Sequence, residues 1–126
     1  MDPRDAAHPR GIVLFHLIAT RYPASMKTKD EIVRDWLPRY TGRRLEEFGE
    51  YILLVNFSNY VEMFAERFGV PVVGRDKPML SATAEDITIL SFGMGSAMAA
   101  TTMDLLSAVS PKAVLFLGKC GGLKKT

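Results

Sequence analysis

Residues 87–123 read ITILSFGMGSAMAATTMDLLSAVSPKAVLFLGKCGGL, and they decide the architecture. Ile87–Phe92 is a short apolar run of strand length, punctuated by Gly93-Met94-Gly95-Ser96. A long apolar helix is expected next, Ala97–Val109, whose mostly small residues suit close packing on a sheet. Ser110-Pro111 breaks it, and Ala113–Leu117 (AVLFL) reads as a further buried strand closed by the glycines of Gly118–Gly122.

Working outward, Tyr51–Phe57 (YILLVNF) has the continuous apolar character of a strand buried on both faces. Ser58 or Asn59 is positioned to cap a helix over Tyr60–Phe68, which Gly69 stops. Met79–Thr83 pairs with the strand Ile87–Phe92 as a hairpin through Glu85-Asp86, with Val72-Val73 as a short strand before it. Nearer the start, Thr28 and Glu31 have capping-box spacing. Ile32, Val33, Trp36 and Leu37 then form one helical apolar face, ended by Pro38 and Gly42, and residues 43–50 form a connector or short helix. The sum is an α/β fold with a mixed central sheet flanked by helices. Residues 26–126 are expected to be the amino-terminal part of such a domain, because nothing after Gly118–Gly122 covers the final strand.

Composition narrows the classes. At 126 residues with 48% hydrophobic and 24% charged, the chain is suited to one globular core. The net charge of +2 is spread without a basic stripe, so no nucleic-acid partner is expected, and Lys124-Lys125 reads as a solvated tip. The single cysteine, Cys120, excludes an internal disulfide and a structural zinc site, and suits a reducing, cytoplasmic setting. Residues 1–25 stand apart as an extension, and Met26 is the expected start. Their apolar run Gly11–Ala19 is shorter than the roughly 20 residues of a membrane helix, and Arg21-Tyr22-Pro23 does not resemble a signal-peptide cleavage site. No membrane association is expected.

Sheets of this kind bind ligands beyond the carboxyl ends of their strands, which points to Asn56–Asn59, Gly93–Ser96 and Gly118–Gly122. Each has a plainer reading. Ser96 is a common helix cap, adjacent glycines make turns, and Lys119 either holds a phosphate as a point charge or is solvated. Cys120 has no histidine nearby, since His8 and His16 lie in the extension, so it reads as small packing rather than a nucleophile. Met98 spoils the dinucleotide glycine pattern, and the G-K-S/T ending of a P-loop is absent. Physics alone stops at an α/β protein with a ligand-facing sheet rim.

Three segments take the reading further: 51–68 (YILLVNFSNYVEMFAERF), 87–108 and 111–123 (PKAVLFLGKCGGL). They resemble the nucleoside phosphorylase and nucleosidase superfamily, and together with 26–42 (MKTKDEIVRDWLPRYTG) and 46–57 (EEFGEYILLVNF) they are most similar within it to the shorter bacterial AMP nucleosidases. The resemblance implies a homo-oligomer, often hexameric, that cleaves the glycosidic bond of AMP with water, using no organic cofactor. It implies that Met94 lies near the ribose, with Gly93 and Gly95 allowing its approach. Lys119, Cys120 and Gly121 would line the base and ribose side, and Asn56 would occupy the loop where phosphorylases keep a phosphate-binding glycine. Where phosphorylases carry two arginines, this chain has Tyr60 and Phe116. Without those guanidinium forks a free phosphate co-substrate is poorly held, so hydrolysis is favoured. The family's catalytic acidic residues belong to a later portion, so this chain alone is expected to be inactive; Asp86 and Asp104 are poor substitutes. The alternatives are a purine nucleoside phosphorylase, a methylthioadenosine nucleosidase, or a non-catalytic fragment that binds nucleotides or assembles with a homologue.

Overall fold

The computed structural model describes residues 26–124. Its first helix, α1 (Lys29–Thr41), opens on the expected capping box. The Glu31 amide donates to Thr28 Oγ1 at 3.3 Å, and the Thr28 amide donates to Glu31 Oε2 at 2.7 Å. Val33 and Leu37 are buried, whereas Ile32 and Trp36 on the same predicted stripe are largely exposed. The helix does not end at Pro38 but runs through it to Gly42, whose left-handed backbone (φ 68°) lets its amide donate to Pro38 O at 2.8 Å. A proline costs the helix one backbone bond, and here buried Leu37 and Thr41 anchor the last turn, with Thr41 Oγ1 donating to Leu37 O.

A single 3-10 turn (Leu45–Glu47) leads to β1 (Tyr51–Val55), α2 (Ser58–Phe68), β2 (Leu80–Ala84), β3 (Ile87–Ser91), α3 (Ser96–Leu106) and β4 (Ala113–Leu117). The four strands form one mixed sheet in the order β2-β3-β1-β4. β1 pairs in parallel with both β3 and β4, with Leu54 opposite Leu90 on one side and Phe116 on the other. β2 pairs antiparallel to β3 through the Glu85-Asp86 turn, and Val72-Val73 contributes only an isolated bridge, Val73 to Ser81.

Alternating strand residues fill two cores. Ile52, Leu54, Leu90 and Phe92 pack against Val33 and Leu37 of α1 and Leu105 and Leu106 of α3. Val55, Ala82 and Ile89 pack on the opposite face against Val61 and Ala65 of α2. The connection from β1 to β3 therefore carries its helix on one face, while that from β3 back past β1 to β4 carries its helix on the other. Right-handed crossovers demand this when the winding direction reverses.

Three expectations need correction. Neither Ser58 nor Asn59 caps α2, since the helix already includes both and Phe57 stands at the cap position without a side-chain bond. Ser96 is likewise the first residue of α3 rather than its cap, because Gly95 (φ 97°) makes the turn one position earlier. Finally, β4 is not buried on both faces. Val114 and Phe116 point toward the α1–α3 side, but Leu115 and Leu117 point to the α2 side, which α2 does not reach. Leu115 borders an open apolar groove that Tyr51, Ile52, Leu53, Ile87 and Ala113 also line. The expected extension, residues 1–25 with His8 and His16, lies outside the described residues, and among those described no helix is long and apolar enough to cross a membrane.

Candidate functional site

Because β1, β3 and β4 run parallel, the loops that follow them leave the same rim of the sheet. After β1 the chain turns to one face into α2, and after β3 it turns to the other face into α3. Adjacent parallel strands whose following helices diverge in this way leave a crevice between their carboxyl ends, where α/β sheets hold ligands.

Two bonds cross this crevice. The Phe92 amide donates to Val55 O at 3.2 Å, and the Asn56 side-chain Nδ2 donates to Gly93 O at 2.7 Å. Asn56 Oδ1 turns toward the third loop, 3.7 Å from where a Cβ on Gly118 would stand. Beside them lies a cleft of about 320 Å3 lined by Asn56, Phe92, Gly95, Ser96, Ala99 and Phe116. Phe92 and Phe116 meet at 5.9 Å between ring centroids to form its apolar wall. Gly93 (φ 83°) and Gly95 (φ 97°) both adopt backbone that side chains rarely tolerate, yet a Cβ on either would meet nothing within 4 Å. They are therefore glycines for the sake of the turn, and they border open space.

Lys119 reaches back across the third loop, its Nζ lying 5.3 Å from the centroid of the Tyr60 ring. An ammonium over a tyrosine face is held by the ring quadrupole while remaining available to an anion. Tyr60 in turn leans on Phe57 at 6.4 Å. Both positions where the resemblance leads one to expect arginine are thus occupied by aromatic rings engaged with neighbours. The sequence marks Tyr60 and Phe116 only as departures, and it does not single out Phe92, which directly follows β3, or Ala99, in the first turn of α3, which also line the cleft.

Of the predicted site residues, the structure brings Asn56, Gly93, Gly95, Gly118 and Lys119 together. Met94 projects outward, 67% exposed. Gly121 stands in open space, and Cys120 is free and exposed rather than packed, because nothing among the described residues covers this loop. Asp86 sits at the opposite rim, where its carbonyl accepts from the Tyr51 amide, and Asp104 pairs with Lys29 of α1 at 2.8 Å, bridging the two helices.

The carboxyl groups with displaced titration are no better placed for catalysis. Backbone donation from Thr28 lowers Glu31, backbone donation from Arg44 lowers Glu47, and the Arg75 guanidinium lowers Glu62. All three are pushed away from holding a proton, and each is tied to its own local partner. Among the described residues no group of histidine, cysteine, aspartate or glutamate is clustered closely enough to hold a metal.

Comparison with known proteins supplies the context. Residues 42–126 match the model of the phosphorylase superfamily. AMP nucleosidase from Escherichia coli K-12 is 23% identical in an alignment that covers 71% of this chain and 26% of that one. The crystal structure of AMP nucleosidase from Bacteroides thetaiotaomicron superposes with a TM-score of 0.74 at 64% identity, over 77% of this chain and 42% of that one. Apo uridine phosphorylase from Schistosoma mansoni, at 23% identity and a TM-score of 0.51, shares the fold. The chain thus spans about a quarter of the first relative and well under half of the second.

Proposed function

Since the chain belongs to the phosphorylase superfamily, we propose that it forms the ribose- and phosphate-facing rim of an enzyme that hydrolyses AMP to adenine and ribose 5-phosphate. The observation that carries this reading is 64% identity, over 77% of the chain, to a protein named AMP nucleosidase. In the reaction, water oxygen bonds to the anomeric carbon as the bond from that carbon to the purine nitrogen breaks. The electron pair leaves with the purine, which gains a proton.

In this reading Gly93 and Gly95 let backbone approach the ribose, and Met94 folds over it. Gly118, Cys120 and Gly121 flank the base. Lys119, already held at the rim by Tyr60, meets the 5′-phosphate as a point charge. With Tyr60 and Phe116 at the arginine positions, neither of these two positions offers a bidentate fork to orient a free phosphate as nucleophile, which supports water in that role. Proton delivery to the departing purine needs a protonated group within hydrogen-bond reach, a contribution of typically 10²–10⁴-fold. No carboxyl among the described residues stands at the rim, so that group comes from outside them.

The test joins this chain to the portion of the Bacteroides relative that lies beyond the shared region. The joined protein is expected to release adenine from AMP without phosphate, and the 126-residue chain alone to release none. Adenine release that requires inorganic phosphate would overturn the hydrolytic reading, and faster cleavage of adenosine than of AMP would overturn the choice of substrate.

A further inference from the structure

Asn56 stands where the first crossover leaves the sheet, and it is half-buried between two loops that diverge to opposite faces. Divergence is what opens the crevice, but it also leaves the loop after β3 with backbone bonds only at its two ends, from the Phe92 amide to Val55 O and from the Ala99 amide to Gly95 O. Gly93 and Gly95 have left-handed backbone and no packing neighbour at Cβ. Two such glycines within three residues give the loop many accessible conformations, and ordering each costs on the order of 1–2 kcal/mol. Beyond the Phe92 amide, the bond that ties this loop to the first crossover is that from Asn56 Nδ2 to Gly93 O.

We infer that Asn56 is a positioning residue: its carboxamide spans the crevice to fix the Gly93–Gly95 backbone and leaves its own oxygen facing the third loop. This rests on the functional reading above for what the loop contacts, but the positioning itself is a property of the free protein. A carboxamide does here what neither of its neighbours in size can do. A carboxylate would set acceptor against acceptor at Gly93 O, and a leucine would offer no donor. Only when protonated does an aspartate regain the donor.

The joined protein described above, labelled at methionine methyl groups, tests the two claims separately. Met94 lies between the two glycines and reports the loop, while fully buried Met79 reports the core. In Asn56→Leu, and in Asn56→Asp at neutral pH, the Met94 resonance is expected to move toward its unfolded position while Met79 stays. In Asn56→Asp it returns as acid protonates the carboxyl. Turnover of AMP should fall roughly 100-fold in kcat, the scale of a displacement of about 1 Å, with KM little changed. An unmoved Met94 in both variants would overturn the inference, as would Met94 and Met79 moving together, which would make Asn56 a general stabilising residue. If the unsubstituted joined protein cleaves no AMP, the functional reading fails, and the methionine spectra still judge the positioning role.

Discussion

β2 and β4 are both five-residue edge strands of one sheet, yet Ser81, Ala82 and Ala84 of β2 are buried while Leu115, Phe116 and Leu117 of β4 are 68%, 54% and 45% exposed. Their sequences point the other way, since LSATA is the more polar strand and AVLFL the more apolar. The contrast lies in what is folded against each. β2 lies under α2 on one face, and on its edge it receives Val73 through paired backbone bonds with Ser81 of 2.8 and 2.9 Å. On the same side the buried Arg43 side chain donates to Ser81 Oγ at 3.1 Å, and its desolvation lowers the guanidinium pKa. β4 has β1 beside it and Val114 tucked under the α1–α3 layer, but its other face and outer edge are open. A strand of that apolarity with that exposure is built to be covered, and it borders the loop that carries Lys119 and Cys120.

The largest effect is expected at two leucines on the strands either side of β1, Leu90 opposite Leu54 and Leu115 opposite Leu53. Leu90 is fully buried, so Leu90→Ala should cost about 2–5 kcal/mol of unfolding free energy, as core truncations do. Leu115→Lys, on the open groove, should change stability by no more than about 0.5 kcal/mol. Urea unfolding of the two variants beside the parent checks this. If Leu115→Lys costs as much as Leu90→Ala, the β4 face is covered in solution and the contrast between the edges is lost.

A smaller difference should separate two glycines. A Cβ on Gly49 would lie 2.3 Å from the Asp86 carbonyl oxygen, in a closed part of the fold where the Gly49 amide also donates to Thr88 Oγ1 at 2.8 Å. At Gly93 the same atom meets nothing, and only the φ of 83° is strained. Gly49→Ala should therefore cost about 1–3 kcal/mol through overpacking, and Gly93→Ala about 1 kcal/mol through backbone strain. The order should invert in function. In the joined protein, Gly93→Ala should depress AMP cleavage at temperatures where Gly49→Ala, once folded, retains it. Equal losses of activity would mean that the rim glycine is as structural as the buried one.

What was legible in the sequence was what is decided within a few residues. The Thr28–Glu31 box, the Gly69 stop and the Glu85-Asp86 hairpin are local chemistry, and the structure has all of them, whereas the helix expected to run to Val109 and break at Ser110-Pro111 already ends at Leu106. Pro38 escaped because burial of Leu37 and Thr41 overrides a local breaker. The exposure of β4 escaped because hydropathy states what a strand requires and not what is present to meet it. The bond between Asn56 and Gly93 joins residues 37 apart and exists only through the winding of the sheet. The three glycine- or asparagine-bearing loops could be named as a rim from topology, but what they bind was legible only through resemblance. Their own chemistry is glycine turns, a few amides and hydroxyls, one thiol and one lysine, none of which by itself names a ligand.

The smallest effect expected is on the surface, and its sign follows from the carboxylates. Arg75 holds Glu62 through two contacts, at 2.5 and 3.0 Å, clamping α2 to the loop that leads into β2. The Glu62 carboxyl is lowered from its ordinary value of 4.5 by that bond, and Arg75 is raised by the same contact. A carboxyl with a lower pKa folded than unfolded binds fewer protons in the folded state, so it adds stability above about its unfolded pKa. That contribution disappears as pH falls through the folded value. Glu31 and Glu47, lowered by local backbone donors, act in the same direction. Unfolding followed from pH 6 downward should therefore show a loss of stability beginning near pH 4.5, the ordinary value of these groups. Glu62→Gln should flatten the slope without removing it, because the other two carboxylates remain. All three are solvent-exposed, so salt should weaken the effect. An unchanged slope in Glu62→Gln would mean that the clamp on the closed side of the sheet is no more constraining in solution than the open face of β4.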